Sequence, residues 1–354
     1  MTEPCLVSSD ATETITALSS DGDATAWDRF VGGNAQSTFC HLAGWRAVIG
    51  DVLRHECRYL FARNGAGVWT GILPLVRVKS PLLGHYLISM PFLNYGGPLG
   101  SPGAQAALAD TAVAEARRSG ADLLELRARH ATSVSLSVAH RKVAVILELP
   151  SSVEALWEGT FDHKLRNKIR RAEKEAMEPH FGLSELEPFY EIFARRMREL
   201  GTPVLPRKFF ERLAGVFLDK VVFGAVYWRG RPLAAGCGFM WRDEFEMTWS
   251  AQLVKHKDKA PNLILYWSFM RHLIHRGIRR FNFGRSTPGS GPHQFKQQWG
   301  GADVRLPWLQ WSSSGVASPP SPERPLYRAA TFAWSRLPVA LTKLAGPPIA
   351  RFLP

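Results

Sequence analysis

One order of segments occurs twice along the chain, and this repetition restricts the fold more than any single motif. In the first half, residues 57–63 and 68–79 are apolar runs separated by Asn64-Gly65-Ala66-Gly67. That is a hairpin signature, with glycine supplying the positive φ of the turn. A strand over 86–93 follows, then the loop Asn94-Tyr95-Gly96-Gly97-Pro98, a helix over about 104–118, Gly120, and a strand over 121–127. Glycine just past a helix is its usual stop, because that position adopts the left-handed region. The second half opens with helices over 189–200 and 208–218, divided by Thr202-Pro203. It then repeats the order: a hairpin of 221–228 and 232–241 across Arg229-Gly230-Arg231, a strand over 245–251, a loop over 255–261, a helix over 262–276, Gly277, and a closing strand over 278–283. The period is too long for a solenoid. The expected class is α/β (α+β): two tandem domains, each a mixed twisted sheet flanked by helices. The expected partition is a flexible N-terminus (1–23), a first domain (24–150), basic linker helices (151–180), a second domain (181–312), and a Pro-rich linker with a basic amphipathic tail (313–354).

Composition narrows the chemistry. The hydrophobic fraction of 45% supports buried cores. A net charge of +13 suits polyanionic partners: nucleic acid, anionic lipid or a phosphorylated substrate. Cys5, Cys40, Cys57 and Cys237 form no C-x-x-C pair, so neither a zinc ribbon nor a disulfide framework is indicated. His272 and His275 lie one turn apart without a third ligand, and no metal is expected. Residues 284–290 approach P-loop spacing but lack its Lys-Ser/Thr, and no dinucleotide fingerprint opens a helix. The N-terminus has no basic and apolar leader pattern, and no apolar run is long enough to span a bilayer. A cytoplasmic protein is expected.

The candidate site follows the closing strand of the second half. Arg285, Ser286, Ser290, Gln294 and Lys296 alternate with glycines, and Phe295 and Trp299 flank the lysine. A fixed cation and backbone N–H groups beside a strand end suit a phosphate or a developing oxyanion. Lys296 in apolar company would steady the tetrahedral intermediate formed when an amine attacks an activated ester or thioester. On composition alone the reading as a surface lysine on a loop would prevail. Asp243, Glu244 and Glu246 sit near a strand turn and read as ordinary hairpin carboxylates, so no general base is evident.

Two basic segments flank this site in sequence. Over 161–176, Leu165, Ile169, Ala172 and Ala176 form a narrow apolar stripe. Lys164, Arg166, Lys168, Arg170 and Arg171 surround it and are the candidate anion-binding residues. Positive charge in the first turns opposes the helix dipole, which points to an anionic partner; a solvated charged face is the other reading. In the tail no acidic residue follows Glu323, while Arg324, Arg328, Arg336, Lys343 and Arg351 alternate with Leu326, Phe332, Trp334, Leu337 and Leu341. Pro338 divides the segment into two short helices. It suits an anionic membrane surface, or packing onto the domain.

The run KLRNKIRRAE (164–173), the Pro261-Asn262 helix start with Tyr266-Trp267, and the segment from Phe283-Gly284-Arg285-Ser286-Thr287 through Phe295-Lys296 to Trp299-Gly300 resemble the FemAB (FemABX) family. The similarity covers about residues 27–311 and is closest to the branch linked to exosortase/PEP-CTERM and exopolysaccharide loci. In the first half it rests on Phe39, Trp45 and the Tyr95-Gly96-Gly97-Pro98 loop. The resemblance implies two tandem GNAT-like acyltransferase domains, with Lys296 near the reacting acyl group and Asn262 at the turn that holds pyrophosphate in acetyltransferases. It implies transfer of an aminoacyl or acyl group to an amine of a cell-envelope, peptidoglycan or exopolysaccharide precursor. The acceptor would lie between the domains near Trp45, Tyr95 and Trp299, with Tyr266 also in the substrate-binding set. No cofactor is implied; aminoacyl-tRNA or acyl-CoA would be the co-substrate. The glycine-rich acetyl-CoA signature is missing between Lys255 and Leu263, and only the short 161–176 helix stands where some tRNA-using members carry a helical hairpin. Implied partners are a phosphorylated precursor, tRNA, and anionic membrane at the inner face of the inner membrane. The alternatives are an acyl-CoA-dependent N-acetyltransferase on a sugar nucleotide or polysaccharide intermediate, and a non-catalytic nucleic-acid or polysaccharide assembly factor.

Overall fold

Alternating β-branched, aromatic and small residues build fifteen strands among the described residues. The computed structural model describes residues 13–19, 21–80, 84–315 and 325–353; Cys5, most of the expected flexible N-terminus and the Pro-rich stretch 318–322 lie outside them. In chain order the strands are β1 (Thr14–Ala17), β2 (Glu56–Arg63), β3 (Trp69–Ser80), β4 (Gly84–Ile88), β5 (Leu99–Gly100), β6 (Leu123–Arg127), β7 (Ser137–Ala139) and β8 (Val143–Glu148). The second half adds β9 (Glu178–Phe181), β10 (Val221–Trp228), β11 (Arg231–Trp241), β12 (Glu244–Gln252), β13 (Arg280–Ser286), β14 (Ala302–Arg305) and β15 (Trp308–Ser312). They form two sheets, ordered β1-β2-β3-β4-β6-β15-β7, with β5 beside β3, and β14-β8-β13-β12-β11-β10-β9.

The two sheets repeat one design. In each, an antiparallel hairpin leads to a third strand, a helix crosses over, and the next strand returns parallel. The first crossover helix, Pro102–Ser119, starts where Ser101 Oγ accepts from the Ala104 N–H and stops at Gly120, whose φ is 66°. Its small-residue face lies against β3 so closely that a Cβ on Gly71 would stand 2.7 Å from the Ala104 Cβ. The second crossover helix, Pro261–Ile274, is apolar nearly all round and is buried.

The sheets do not follow the halves of the chain. β8 lies between β13 and β14, and β15 lies between β6 and β7, so each sheet is completed by a strand from beyond the expected boundary. One aromatic core joins the halves: Phe39 stacks on Phe239 with centroids 4.3 Å apart, and Trp45 meets Phe217 at 4.9 Å. Such pairs add to the large area their rings remove from water.

The parallel contacts are short. β12 and β13 pair only over Glu244–Glu246 and Arg280–Asn282, although both continue beyond, which opens a fork. The matching fork between β4 and β6 is closed by the chain itself. The Ser89 N–H donates to Glu125 O at 2.9 Å, and the Arg127 N–H to Ser89 Oγ at 2.7 Å. The expected strand over 86–93 therefore ends at Ile88, because Met90 and Phe92 turn into positive φ.

Candidate active site

The site begins with a buried seam of polar groups between the sheets. Glu246 sits beside Asn282 in the parallel register, and Glu244 is two residues back on the same face. The Asn282 Nδ2 donates to Tyr95 OH at 2.9 Å and to Glu244 Oε1 at 3.0 Å, and Asn282 Oδ1 accepts from the Gly284 N–H at 2.9 Å. Asn94 Nδ2 donates to Glu246 Oε1 at 2.7 Å. Arg129 grips both oxygens of Glu244, at 2.9 and 2.6 Å. The hydrogen bonds to the two carboxylates differ: Glu244 accepts from a guanidinium, whereas Glu246 accepts from neutral side chains. Burial, with the neighbouring Glu244 charge, therefore raises the Glu246 pKa from 4.5 to about 7. Arg129, Asn94 and Lys296 oppose that rise.

Lys296 lies on a short helix, Gly291–Gln297, capped by Ser290 Oγ, which accepts from the His293 N–H at 3.4 Å. His293 ties the helix down. Its Nδ1 accepts from the Gly289 N–H at 3.0 Å, which leaves Nε2–H to donate to Asp303 at 2.9 Å. Lys296 is 9% exposed, and its Nζ donates to Gly284 O at 3.0 Å and Arg285 O at 2.8 Å. Consecutive carbonyls of a regular strand point in opposite directions. The register shift of β13 against β8 and the φ of 71° at Gly284 remove that alternation, so both oxygens meet one ammonium. Burial, with Arg285 nearby, lowers the lysine pKa to about 8 against the pull of Glu246. The group stays largely charged at neutral pH. An ammonium has three donors, and these two bonds use two of them.

The other expected site residues divide into a polar group and a core group. Tyr95 belongs to the seam. Arg285 is half-buried, with its guanidinium 5.3 Å from the Trp308 ring; Arg127 approaches the same ring at 4.7 Å. Burial and then Arg127 lower the Arg285 pKa to about 10. Arg127 is neutralised by Glu125 at 2.9 Å, whereas Arg285 donates a long hydrogen bond of 3.5 Å to Leu93 O. Ser286 is buried, and its Oγ has no partner among the described residues. Asn262 Oδ1, at the start of its helix, is likewise buried and unpartnered. By contrast, Trp45, Tyr266 and Trp299 are core residues. Trp45 Nε1 donates to Phe39 O at 2.9 Å, Tyr266 OH bonds Ser250 Oγ at 2.8 Å, and Trp299 packs edge-on to Phe161 at 5.6 Å. Their rings are buried, and Trp299 Nε1 has no partner among the described residues. Phe295, half-buried, packs edge-on to Tyr266 at 5.2 Å. Ser290 serves as the cap, and Gln294 is exposed, reaching Gly289 O at 3.4 Å.

The basic helix runs over His163–Glu173, with Leu165, Ile169 and Ala172 buried. Ala176 falls outside it at a φ of 51°, where the chain turns into β9. Lys164, Lys168, Arg170 and Arg171 are exposed and Arg166 is half-buried. Lys168 Nζ donates to Gln298 Oε1 at 3.0 Å, which sets this helix beside the one carrying Lys296.

Glu244 and Glu246 were expected as ordinary hairpin carboxylates and are buried, at 8% and 2% exposure. Only Asp243 fits that expectation, half exposed and paired with Arg280 at 2.7 Å. The missed signal was Asn282 between Phe281 and Phe283: a polar residue on a strand that is otherwise apolar needs buried partners. A cavity of about 190 Å³ reaches Glu246 between the halves, past Ser37, Arg129, His130, Trp241 and Glu244. A larger recess of about 710 Å³, lined by residues such as Asp28, Arg46, Asp51 and His55, contains none of these groups. Among the described residues no group of His, Cys, Asp and Glu is arranged to hold a metal ion.

Residues 160–297 match the acetyltransferase (GNAT) domain family. No curated protein matches the chain. Among solved structures, FemX superposes with a TM-score of 0.63 at 13% identity, over 90% of this chain and 100% of its own. The C-terminal domain of a putative lysylphosphatidylglycerol synthetase from Agrobacterium fabrum gives 0.56 at 11%, over 82% and 92%. A tandem GNAT protein from the clavulanic acid biosynthesis pathway gives 0.51 at 10%, over 87% and 100%. The chain thus has the tandem GNAT acyltransferase fold: the repeated order had indicated tandem domains, and the family resemblance had implied their GNAT type.

Proposed function

We propose that this tandem GNAT chain is a FemAB-like N-acyltransferase, moving an aminoacyl or acyl group onto an amine of a phosphorylated cell-envelope or exopolysaccharide precursor. The observation that carries the reading is the buried Lys296 ammonium, fixed by two carbonyls, with one donor unused beside a carboxyl poised near neutral pH. In this reading the amine nitrogen attacks the acyl carbonyl carbon, and Lys296 holds the oxygen that becomes negative. Glu246 accepts the proton from the amine. Collapse of the intermediate breaks the C–O bond of an ester or the C–S bond of a thioester, and the proton passes to the leaving atom. Arg285 and the basic helix give an anionic substrate somewhere to bind, which supports a phosphorylated donor or acceptor. The exosortase/PEP-CTERM branch remains part of this proposal.

One feature favours acyl-CoA as donor. Ala260 adopts a φ of 53° at the start of the 261–274 helix, next to Lys255, Lys257 and Lys259. The left-handed turn that glycine usually makes is thus present without glycine, at a helix N-terminus suited to phosphate. Thermal shift with acetyl-CoA separates the donors, since a bound donor raises the melting temperature. The main test replaces Lys296 with alanine in cells and compares envelope precursors and polysaccharide by mass spectrometry. An acyl or aminoacyl mass should fall by about 10²-fold, as for a lost oxyanion donor. Unchanged profiles that contain such a mass would remove Lys296 from the mechanism.

A further inference from the structure

The C-terminal helix Val339–Ala350 is amphipathic in the wrong sense for a helix on a soluble surface. Its buried face is Thr342, Gly346 and Ala350, one residue per turn. Gly346 lies so close to the body that a Cβ there would stand 3.1 Å from the Val204 nitrogen. The outward face carries Ala340, Leu341, Leu344, Pro348 and Ile349, with Leu344 77% exposed. A surface helix ordinarily turns its large apolar residues inward. The preceding helix, Pro325–Trp334, exposes Phe332, whose ring lies 3.4 Å under the Arg336 guanidinium. Leu200 shares a recess with Phe332 and Arg328.

The pair is fixed in place. Lys343 pairs with Glu191, and Arg198 donates to Ser335 O at 2.8 Å. His55 Nε2 donates to Arg351 O at 2.6 Å. Packing onto the domain, one of the two sequence expectations, is therefore real, yet it leaves the apolar face uncovered. Five of the ten large apolar side chains exposed among the described residues are Leu200, Phe332, Leu341, Leu344 and Ile349. Such concentration marks an interaction surface.

Charge selects the partner. After Glu323 the sequence holds five cations and no acid. A second copy would bring its own Arg328 and Arg336 against these, so self-association is disfavoured. We propose that this helix pair seats the protein on an anionic lipid surface, the leucines and isoleucine entering the headgroup–acyl boundary and Arg328 and Arg336 meeting lipid phosphates. Among the described residues no helix is long and apolar enough to cross a membrane, so the contact is peripheral. This proposal does not depend on the transferase reading.

The test is co-sedimentation of the full chain with phosphatidylcholine vesicles, with and without phosphatidylglycerol. Binding should require phosphatidylglycerol. The double variant Leu344→Glu, Ile349→Glu should weaken it by about tenfold or more while leaving the melting temperature unchanged, because both side chains are exposed. Arg328→Glu with Arg336→Glu should weaken it as strongly and reduce its salt dependence. No binding to anionic vesicles, or binding indifferent to the apolar pair, overturns the proposal. So does a dimer seen by light scattering that the apolar pair abolishes, since the face then belongs to a second copy. Capture of an acidic protein in preference to vesicles has the same force.

Discussion

Replacing Glu246 by glutamine isolates the one seam carboxyl whose pKa is raised to near neutrality. The carboxyl is buried, and its pKa rises from 4.5 to about 7. That rise corresponds to about 3 kcal/mol of folding free energy. Below pH 4.5 the group is protonated in both folded and unfolded chains and costs nothing. Between 4.5 and 7 the unfolded chain releases the proton while the folded one keeps it, so stability falls as pH rises; above 7 the full cost applies. Glutamine cannot ionise. Its oxygen can still accept from Asn94, but its amide then faces Asn282 Nδ2, 3.4 Å from Oε2, and Asn282 cannot flip because Oδ1 accepts from the Gly284 N–H. That mismatch costs about 1–3 kcal/mol at every pH and shifts the curve without tilting it. Urea unfolding of both proteins from pH 4.5 to 8 is the assay. The stability difference should move in favour of glutamine by about 3 kcal/mol across that range, less what Lys296 loses near its own pKa once the pull of Glu246 is gone. Parallel stability curves would refute the argument and leave Glu246 as an ordinary structural carboxylate.

Further outcomes follow from the same groups. The pH profile of turnover should be bell-shaped, rising as Glu246 ionises near 7 and falling as Lys296 loses its proton near 8, and Glu246→Gln should abolish the rising limb. Arg285→Met removes a guanidinium stacked 5.3 Å from the Trp308 ring and should raise KM for an anionic substrate about tenfold with little change in kcat, measured by steady-state kinetics. Asp162→Ala removes the cap whose Oδ1 accepts from the Leu165 N–H at 2.6 Å; amide exchange should show the basic helix opening more readily by about 1 kcal/mol.

The repeated order was legible because it depends on local signals. The hairpins at 64–67 and 229–231, the stop at Gly120 and the helix 261–274 are set by turn residues and by periodicity within one segment. Strands β1, β5, β7, β8, β9, β14 and β15 were not read. They are short, and their partners lie far away in the chain; β8 pairs with residues about 140 positions later. The site was legible in the same uneven way. Arg285 lies near the end of β13 and Lys296 on the next helix of the same segment, so nearness in sequence revealed them. Glu246 gave no such sign, because its neighbours Asn94 and Arg129 are supplied by the other half. Of the aromatic residues near Lys296 expected to line the site, Tyr266 and Trp299 are buried in the core.

Comparing the two copies at equivalent positions explains why a duplicated fold has one such site. In the register of the parallel strands, Ile88 stands where the second copy has Glu246, and Glu125 stands where it has Asn282. The first copy thus has an apolar residue at the position of the poised carboxyl, and its one acid there is held by Arg127 at 2.9 Å and Gln310 at 2.8 Å. Its fork is filled by residues 89–97. That same filling segment carries Asn94 and Tyr95 across to the second copy, where they meet Glu246 and Asn282. The stretch that closes one fork is therefore part of the wall of the other. The first half thus presents a supporting surface where the second has its carboxyl seam, and the shared aromatic core around Phe39 and Phe239 joins the two. A separated second domain would lose β8, Asn94, Tyr95 and Arg129 together, leaving Glu246 open to water, where its pKa has no reason to rise.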